Sequence, residues 1–279
     1  MQEQRWKTGC KSLLLNSKHV MGILNVTPDS FSDGGNYFVA EDAIRHAKEM
    51  IHFGAKVIDV GGQSTRPGYQ EVSSDEEWAR IKEVLQTLVD ETDAIISVDT
   101  YFPTVAARAL ELGVHIINDV TGFDAAMFEA AAQSDCGLVI MHGTGSKRGN
   151  ITQEVRAFFE MKVKQAKSYG IALERLCFDP GIGFGKTYEE NLELIANVDR
   201  IKIENAAFLM AASRKRVIAA AVESANLPDK DIGTLTAHAI SMAYGADIVR
   251  AHDVKNAVLS ARVCEAIMSK KYGMVKKEK

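Results

Sequence analysis

The chain has 279 residues, 46% of them hydrophobic and 25% charged, with a formal net charge of -4. That supplies apolar material for one large core, and the lack of a basic excess excludes nucleic acid as the expected partner. No apolar run approaches the roughly 20 residues of a membrane span, so no membrane-crossing helix is expected.

In chain order, Arg5–Ser17 precede the first repeating unit and are expected to form a short hairpin plugging the bottom of a barrel. Strand-like runs follow at Val20–Val26, Lys56–Val60, Ile95–Val98, His115–Asn118, Leu138–Met141, Leu176–Phe178, Phe208–Ala212 and Ile248–Arg250. Between them lie amphipathic segments such as Glu41–Phe53, Asp75–Glu91, Thr104–Leu112, Thr152–Tyr169 and Thr234–Tyr244. Near-continuous apolar strands, each followed by a helix, predict a parallel sheet buried on both faces. Eight such units in 279 residues predict an α/β chain folded as a (β/α)8 TIM barrel, one domain over residues 1–279. The competing architecture is an open doubly wound sheet, but its nucleotide-binding signatures fail. Pro180 stands where a phosphate loop ending in Gly185-Lys-Thr187 needs glycine, and Lys186 and Arg148 interrupt the dinucleotide pattern.

In such a barrel the C-terminal strand ends carry the chemistry. Here they offer Asn25, Asp59-Val-Gly-Gly62, Asp99, Asn118-Asp119, His142, Asp179, Ser213-Arg-Lys215 and Arg250-Ala-His252-Asp253. Apolar strands that all stop in polar side chains predict a polar ring over a dry barrel. Helix capping is the plain alternative for Asp99 and Asp179. Pro103 moves the first cap to Phe102, and Thr187-Tyr-Glu-Glu190 has the spacing of a capping box, so both acids are left for function. Arg250 and His252 are alternate strand residues on one face, and Arg250 with Lys215 suggests an anion site. His142 reads equally well as a packed residue and as a ligand contact. The histidines are dispersed, so no protein metal cage is expected. A Mg²⁺ ion arriving on phosphate oxygens would need only one protein oxygen, which Asn25 could supply.

Cys10, Cys136, Cys177 and Cys264 are single, with no C-x-x-C pair, as in reduced thiols of a cytoplasmic protein. The amino-terminal MQEQRWKTG has no apolar leader, and the C-terminal lysine pairs read as a solvated tail.

Taken together, the strand-end motifs resemble those of the dihydropteroate synthase family. They are Gly22-Ile-Leu-Asn-Val-Thr-Pro-Asp-Ser-Phe-Ser-Asp-Gly34, Asp59-Val-Gly-Gly-Gln-Ser-Thr-Arg-Pro-Gly68, Ser97-Val-Asp-Thr100, Ile117-Asn-Asp119, Asp179-Pro-Gly-Ile-Gly-Phe-Gly-Lys186, Ser213-Arg-Lys215 and Arg250-Ala-His-Asp253. The resemblance spans about residues 20 to 255 and implies a barrel transferase, usually a homodimer. The family's reaction joins 6-hydroxymethyl-7,8-dihydropterin diphosphate to 4-aminobenzoate. By that resemblance Asp99, Asn118, Asp179 and Lys215 form a pterin pocket, and Arg250, His252 and Asn25 the diphosphate site, with Asn25 also reaching Mg²⁺. Thr65, Arg66, Pro67, Phe31, Phe184 and Ser213 would line the 4-aminobenzoate pocket, under loops 27–37 and 63–71. Departures from the family pattern lie at Gly143-Thr-Gly145, Ala211, Arg216-Val-Ile-Ala219 and Ala251. Two other readings are a pterin-binding paralogue without turnover and a barrel lyase. The lyase would use Lys215 as a Schiff-base amine depressed by Arg214 and Arg216.

Overall fold

The computed structural model describes residues 3–15, 17–27, 36–63, 71–147 and 149–271, with the backbone alone at 36–38 and 271. The N-terminal hairpin pairs β1 (Arg5–Thr8) with β2 (Lys11–Leu14) in antiparallel register. Gly9 turns it with a φ of 67°, a conformation that costs glycine little. Alternation sends Trp6 inward, where its indole Nε1 donates to the Arg175 carbonyl at 2.9 Å. Trp6, Leu13 and Leu15 pack against Met21, Val57, Ile95, Ile116, Val139 and Ile248, the lowest inward layer of the barrel. The expected plug is therefore present.

Above it, eight parallel strands close on themselves: β3 (His19–Asn25), β4 (Val57–Gly61), β5 (Ile95–Asp99), β6 (Ile116–Asp119), β7 (Gly137–Met141), β8 (Leu176–Asp179), β9 (Ala207–Met210) and β10 (Ile248–Ala251). Closure runs through β10, which pairs Ile248 with His19 on β3 and with Leu209 on β9. Closure rules out the open doubly wound sheet. The outward residues Ile58, Val60, Ile96, Val98, Ile140, Phe178 and Phe208 form a second core with the helices.

Those helices are α1 (Asn36–Phe53), α2 (Ser74–Glu91), α3 (Pro103–Glu111), α4 (Ala125–Ala132), α5 (Ile151–Ser168), α6 (Tyr188–Ala196), α7 (Val198–Ile201), α8 (Arg216–Ala221), α9 (Leu227–Ala243) and α10 (Val254–Lys271). Both capping expectations hold. Phe102 caps α3 ahead of Pro103, and Thr187 with Glu190 makes a reciprocal capping box on α6. The start of α9 differs from the expected Thr234, because Asn226 caps the helix and Pro228 opens its first turn. Gly233, inside that helix, fits there because a Cβ would crowd Val222 and Ile218 of the neighbouring α8 segment. Among the described residues no helix is long and apolar enough to cross a membrane, and the four cysteines are free.

Removing the fully buried Trp6 ring is expected to destabilise the barrel by about 3–5 kcal/mol. Denaturant unfolding of Trp6→Ala should show this as a lower midpoint. An unchanged midpoint would mean that the hairpin lies outside the cooperative core.

Candidate active site

The inward face changes character two residues above the plug. Met21, Val57, Ile95, Ile116, Cys177 and Ile248 line the dry layer. The next inward positions, set by strand alternation, are Ile23, Asp59, Ser97, Asn118, Asp179 and Arg250. A closed barrel therefore brings onto one level Asp59 and Arg250, which are 191 positions apart in the sequence.

Asp59 is the centre of that level. It is 0% exposed, and its Oδ2 accepts from Arg250 Nε at 2.6 Å and from Asn118 Nδ2 at 2.9 Å. The second edge nitrogen of Arg250 donates to Asp99 Oδ2 at 2.7 Å, so one guanidinium edge spans two carboxylates. Burying an ion is costly unless it is matched in place, and this arrangement supplies the match. Burial acts to lower the Arg250 pKa, but Asp59 and Asp99 outweigh it and the net shift is upward. Burial raises Asp99 to about 7, with Arg250 opposing the rise and the Asp59 charge adding to it.

Asp179 and Lys215 form the opposite wall. Asp179 Oδ1 accepts from the Gly181 backbone at 2.7 Å, a local turn and not a helix cap. Burial raises its pKa, and Lys215 is the chief counterweight. Lys215 Nζ donates to the Ile182 carbonyl and lies 4.7 Å from the Phe184 ring centroid, a cation–π contact. Gly183 makes room for the lysine stem, since a Cβ there would sit 3.1 Å from Lys215 Cδ. Burial brings the Lys215 pKa down to about 8, Asp179 opposing and Arg250 assisting. Arg214 and Arg216, expected to depress this amine, are not among the causes. Arg214 instead forks onto Asp231 of α9 at 2.7 and 2.9 Å, and its backbone N–H donates to Thr234. Those bonds hold Arg214 at a φ of 58° and fasten the loop after β9 to α9. The same loop presents Ser213, whose Oγ lies 2.9 Å from His252 Nδ1.

The structure thus gathers Asp99, Asn118, Arg250, Asp179, Lys215, Phe184, Ser213 and His252 at the C-terminal mouth. Asn25 ends β3 beside Gly61, half-buried. Phe31, Thr65, Arg66 and Pro67 lie outside the described residues, as does most of the two loops expected to cover the site. Arg250 and Lys215 are not the bare cations that the strand ends suggested, because carboxylates face both. His142 packs edge-on against Phe158, and burial lowers its pKa to about 4, as for a packed imidazole. Gly145 lets the loop after β7 run close against the Gly185 backbone, so this departure changes loop packing and leaves the ring intact.

Sequence reasoning gave no role to Asp59 or Lys186. Asp59 was counted with the strand-end motif Asp59-Val-Gly-Gly62 but sits mid-strand; a lone acid inside Val57-Ile-Asp-Val60 was the available signal for a role of its own. Lys186 Nζ bonds the carbonyls of His142, Gly181 and Phe184, tying together the loops after β7 and β8. Gln63 pins the base of loop 64–70 by donating to the Tyr101 hydroxyl at 2.7 Å and accepting from Val72 N at 3.0 Å. Among the described residues no group of three His, Cys, Asp or Glu side chains can hold a metal ion.

Comparison with known proteins places this geometry in a family. Residues 21–252 match the pterin binding enzymes. The chain is 39% identical over 269 residues to the dihydropteroate synthase of Clostridium beijerinckii, covering 94% of this chain and 99% of that one. Its fold resembles the Xanthomonas albilineans dihydropteroate synthase solved with 4-aminobenzoic acid, with a TM-score of 0.90, 35% identity, and coverage of 96% of this chain and 99% of that one. The same Xanthomonas enzyme in complex with 7,8-dihydropteroate gives a TM-score of 0.88 at 33% identity, over 95% and 99% of the two chains.

The Asp99 environment has a measurable consequence. Its carboxyl titrates at about 7 in the folded chain against 3.8 for a free side chain. Between those values the folded state holds a proton that the unfolded chain has released. Asp99 therefore makes stability fall as pH rises across that window. Asp99→Asn removes this titration, so thermal melts from pH 4 to 7 should show the variant gaining stability relative to the parent as pH rises. A pH-independent difference would contradict the assigned environment.

Proposed function

This chain belongs to the dihydropteroate synthases, and we propose that the polar level of its barrel carries their transferase reaction. The reaction condenses 6-hydroxymethyl-7,8-dihydropterin diphosphate with 4-aminobenzoate, giving 7,8-dihydropteroate and diphosphate. The observation that carries this assignment is the inward set Asp99, Asn118, Asp179 and Lys215 beside a fixed guanidinium. A pterin edge alternates N–H donors with acceptors, and carboxylates, an amide and an ammonium at one depth complement it. Pterin N–H donors favour the ionised forms of Asp99 and Asp179 against the burial that opposes them.

The chemistry follows from charge. The arylamine is neutral at pH 7 and needs no strong base, so the demanding event is cleavage of the C–O bond to diphosphate. Arg250 and His252 hold the departing oxygens as negative charge develops there. Positive charge left on the methylene spreads into the pterin, where Asp99 and Asp179 oppose it. The course proposed is a dissociative displacement without a covalent enzyme intermediate. Phe184 and Ser213, together with Phe31, Thr65, Arg66 and Pro67, then receive 4-aminobenzoate.

Asp59, Asp99 and Asp179 stand among Arg250, Lys215 and Lys186 and offset part of the positive charge that an incoming diphosphate would meet. That balance favours a divalent cation brought in on the substrate. The Asn25 amide oxygen, half-buried at the end of β3, is the hard donor such an ion takes, which makes Mg²⁺ the cofactor of this proposal. When bound it would neutralise leaving-group charge.

A homodimer belongs to the same proposal. α10 exposes Leu259, Val263 and Ile267, one stripe at helical spacing, and adjacent α9 exposes Ile240 and Tyr244. The free cysteines are compatible with the cytoplasm as its compartment.

The test is release of diphosphate from the pterin diphosphate with Mg²⁺, with and without 4-aminobenzoate, monitored together with dihydropteroate. Multiple turnovers that depend on 4-aminobenzoate are expected. Tight pterin binding without product would instead indicate the paralogue that binds but does not turn over.

A further inference from the structure

The buried aspartates Asp119, Asp179 and Asp247 each accept from backbone N–H. Asp119 accepts from Thr121 N and Phe123 N, and Asp247 accepts from Phe208 N. Asp59 does not. Its hydrogen bonds go to two side chains of the site, Arg250 and Asn118, through one oxygen. Its other oxygen, Oδ1, is buried without a partner, as is the Oγ of Ser97 directly opposite it in the β4–β5 register. Asp59 and Arg250 face each other across β3, which lies between their strands, so the contact does not arise from strand pairing. A carboxylate that braces no backbone and is wholly removed from water is poorly explained as a fold stabiliser.

We propose that Asp59 is the positioning residue for Arg250, fixing its guanidinium so that the free donors face the leaving diphosphate. The guanidinium is planar and its donors keep a fixed fork. Pinning Nε and one terminal nitrogen on Asp59 and Asp99 therefore fixes the direction of the remaining N–H groups, which make no hydrogen bond among the described residues. The Arg250 side chain keeps 17% exposure, against 0% for Asp59 and 11% for Asp99, so its open side is toward the mouth. Asp59 touches no substrate. Through the shared oxygen it also sets Asn118, and so it keeps the anion end and the pterin end in one register.

This inference rests on the assignment of Arg250 to the diphosphate site, and the experiment separates the two. Titration calorimetry with inorganic diphosphate and Mg²⁺ compares the parent, Asp59→Asn, Arg250→Ala and the double variant. Both single variants are expected to lose about tenfold or more in diphosphate affinity. The double variant should bind diphosphate no more weakly than Arg250→Ala alone, because Asp59 acts on the diphosphate only through Arg250. Losses that add in the double variant, or parent-like affinity in Asp59→Asn with an unchanged melt, would overturn the proposal. Parent-like affinity in Arg250→Ala would overturn the underlying assignment and the proposal with it. If Asp59→Asn does not fold, the parent protein decides by arginine ¹⁵N spectroscopy. The Arg250 Nε–H should stay protected when diphosphate saturates the site, while its terminal N–H signals move. Loss of Nε–H protection on binding would refute the tether.

Discussion

One guanidinium edge shared between two carboxylates, inside a barrel, sets the terms for the rest of this site. Arg250 cannot be buried without Asp59 and Asp99, and removing one partner of such a buried set costs about 3–5 kcal/mol. The acids in turn crowd one another, and burial with mutual repulsion holds Asp99 near neutrality in its pKa. The same level of the barrel therefore contains a fixed cation and a carboxylate whose charge a ligand can tip. Both properties suit a substrate that is a hydrogen-bonding ring at one end and an anion at the other.

Such a level has to be kept from water below and held in shape around its rim. The N-terminal hairpin does the first, with Trp6 closing the lowest inward layer. The rim is fixed loop by loop. Arg214 and Thr234 secure the turn that carries Ser213 and Lys215, while Lys186 gathers three carbonyls from the loops after β7 and β8. Gln63 anchors both ends of the loop after β4. These supports lie outside the ring, and each is a side chain hydrogen-bonded to another loop or to a helix. The mouth is therefore preorganised on the described side without relying on any single interaction.

The barrel was legible in the sequence because each strand is a short apolar run followed at or soon after its end by polar residues. β5 was expected to end at Val98 and ends at Asp99, and β8 was expected to end at Phe178 and ends at Asp179. In both cases the acid of the ring is the last strand residue, which is why reading strand ends found most of the ring. Partner choice was not legible. Nothing local told Arg250 to meet Asp59 and Asp99, since barrel closure, across sequence separations of 191 and 151, decides it. For the same reason Arg250 looked like an open anion site, and Lys215 was credited with the wrong neighbours. Adjacency in sequence placed Arg214 beside it, whereas the left-handed backbone at Arg214 turns that side chain away toward Asp231. The cap at Asn226 was available to local reasoning, but the polar first turn after it hid the helix.

In the proposed mechanism this level breaks the C–O bond by stabilising the separated charges, with Arg250 and His252 at one end and Asp99 and Asp179 at the other. Bond breaking then need not wait for the amine. Positional isotope exchange measures this directly. Pterin diphosphate labelled with ¹⁸O in the bridge between methylene and phosphorus is incubated with the protein and Mg²⁺, without 4-aminobenzoate, and the recovered substrate is analysed. Migration of the label into nonbridging positions of the recovered substrate, at a rate comparable to turnover, is the expected result. Label that stays wholly in the bridge while turnover proceeds once 4-aminobenzoate is added would contradict it.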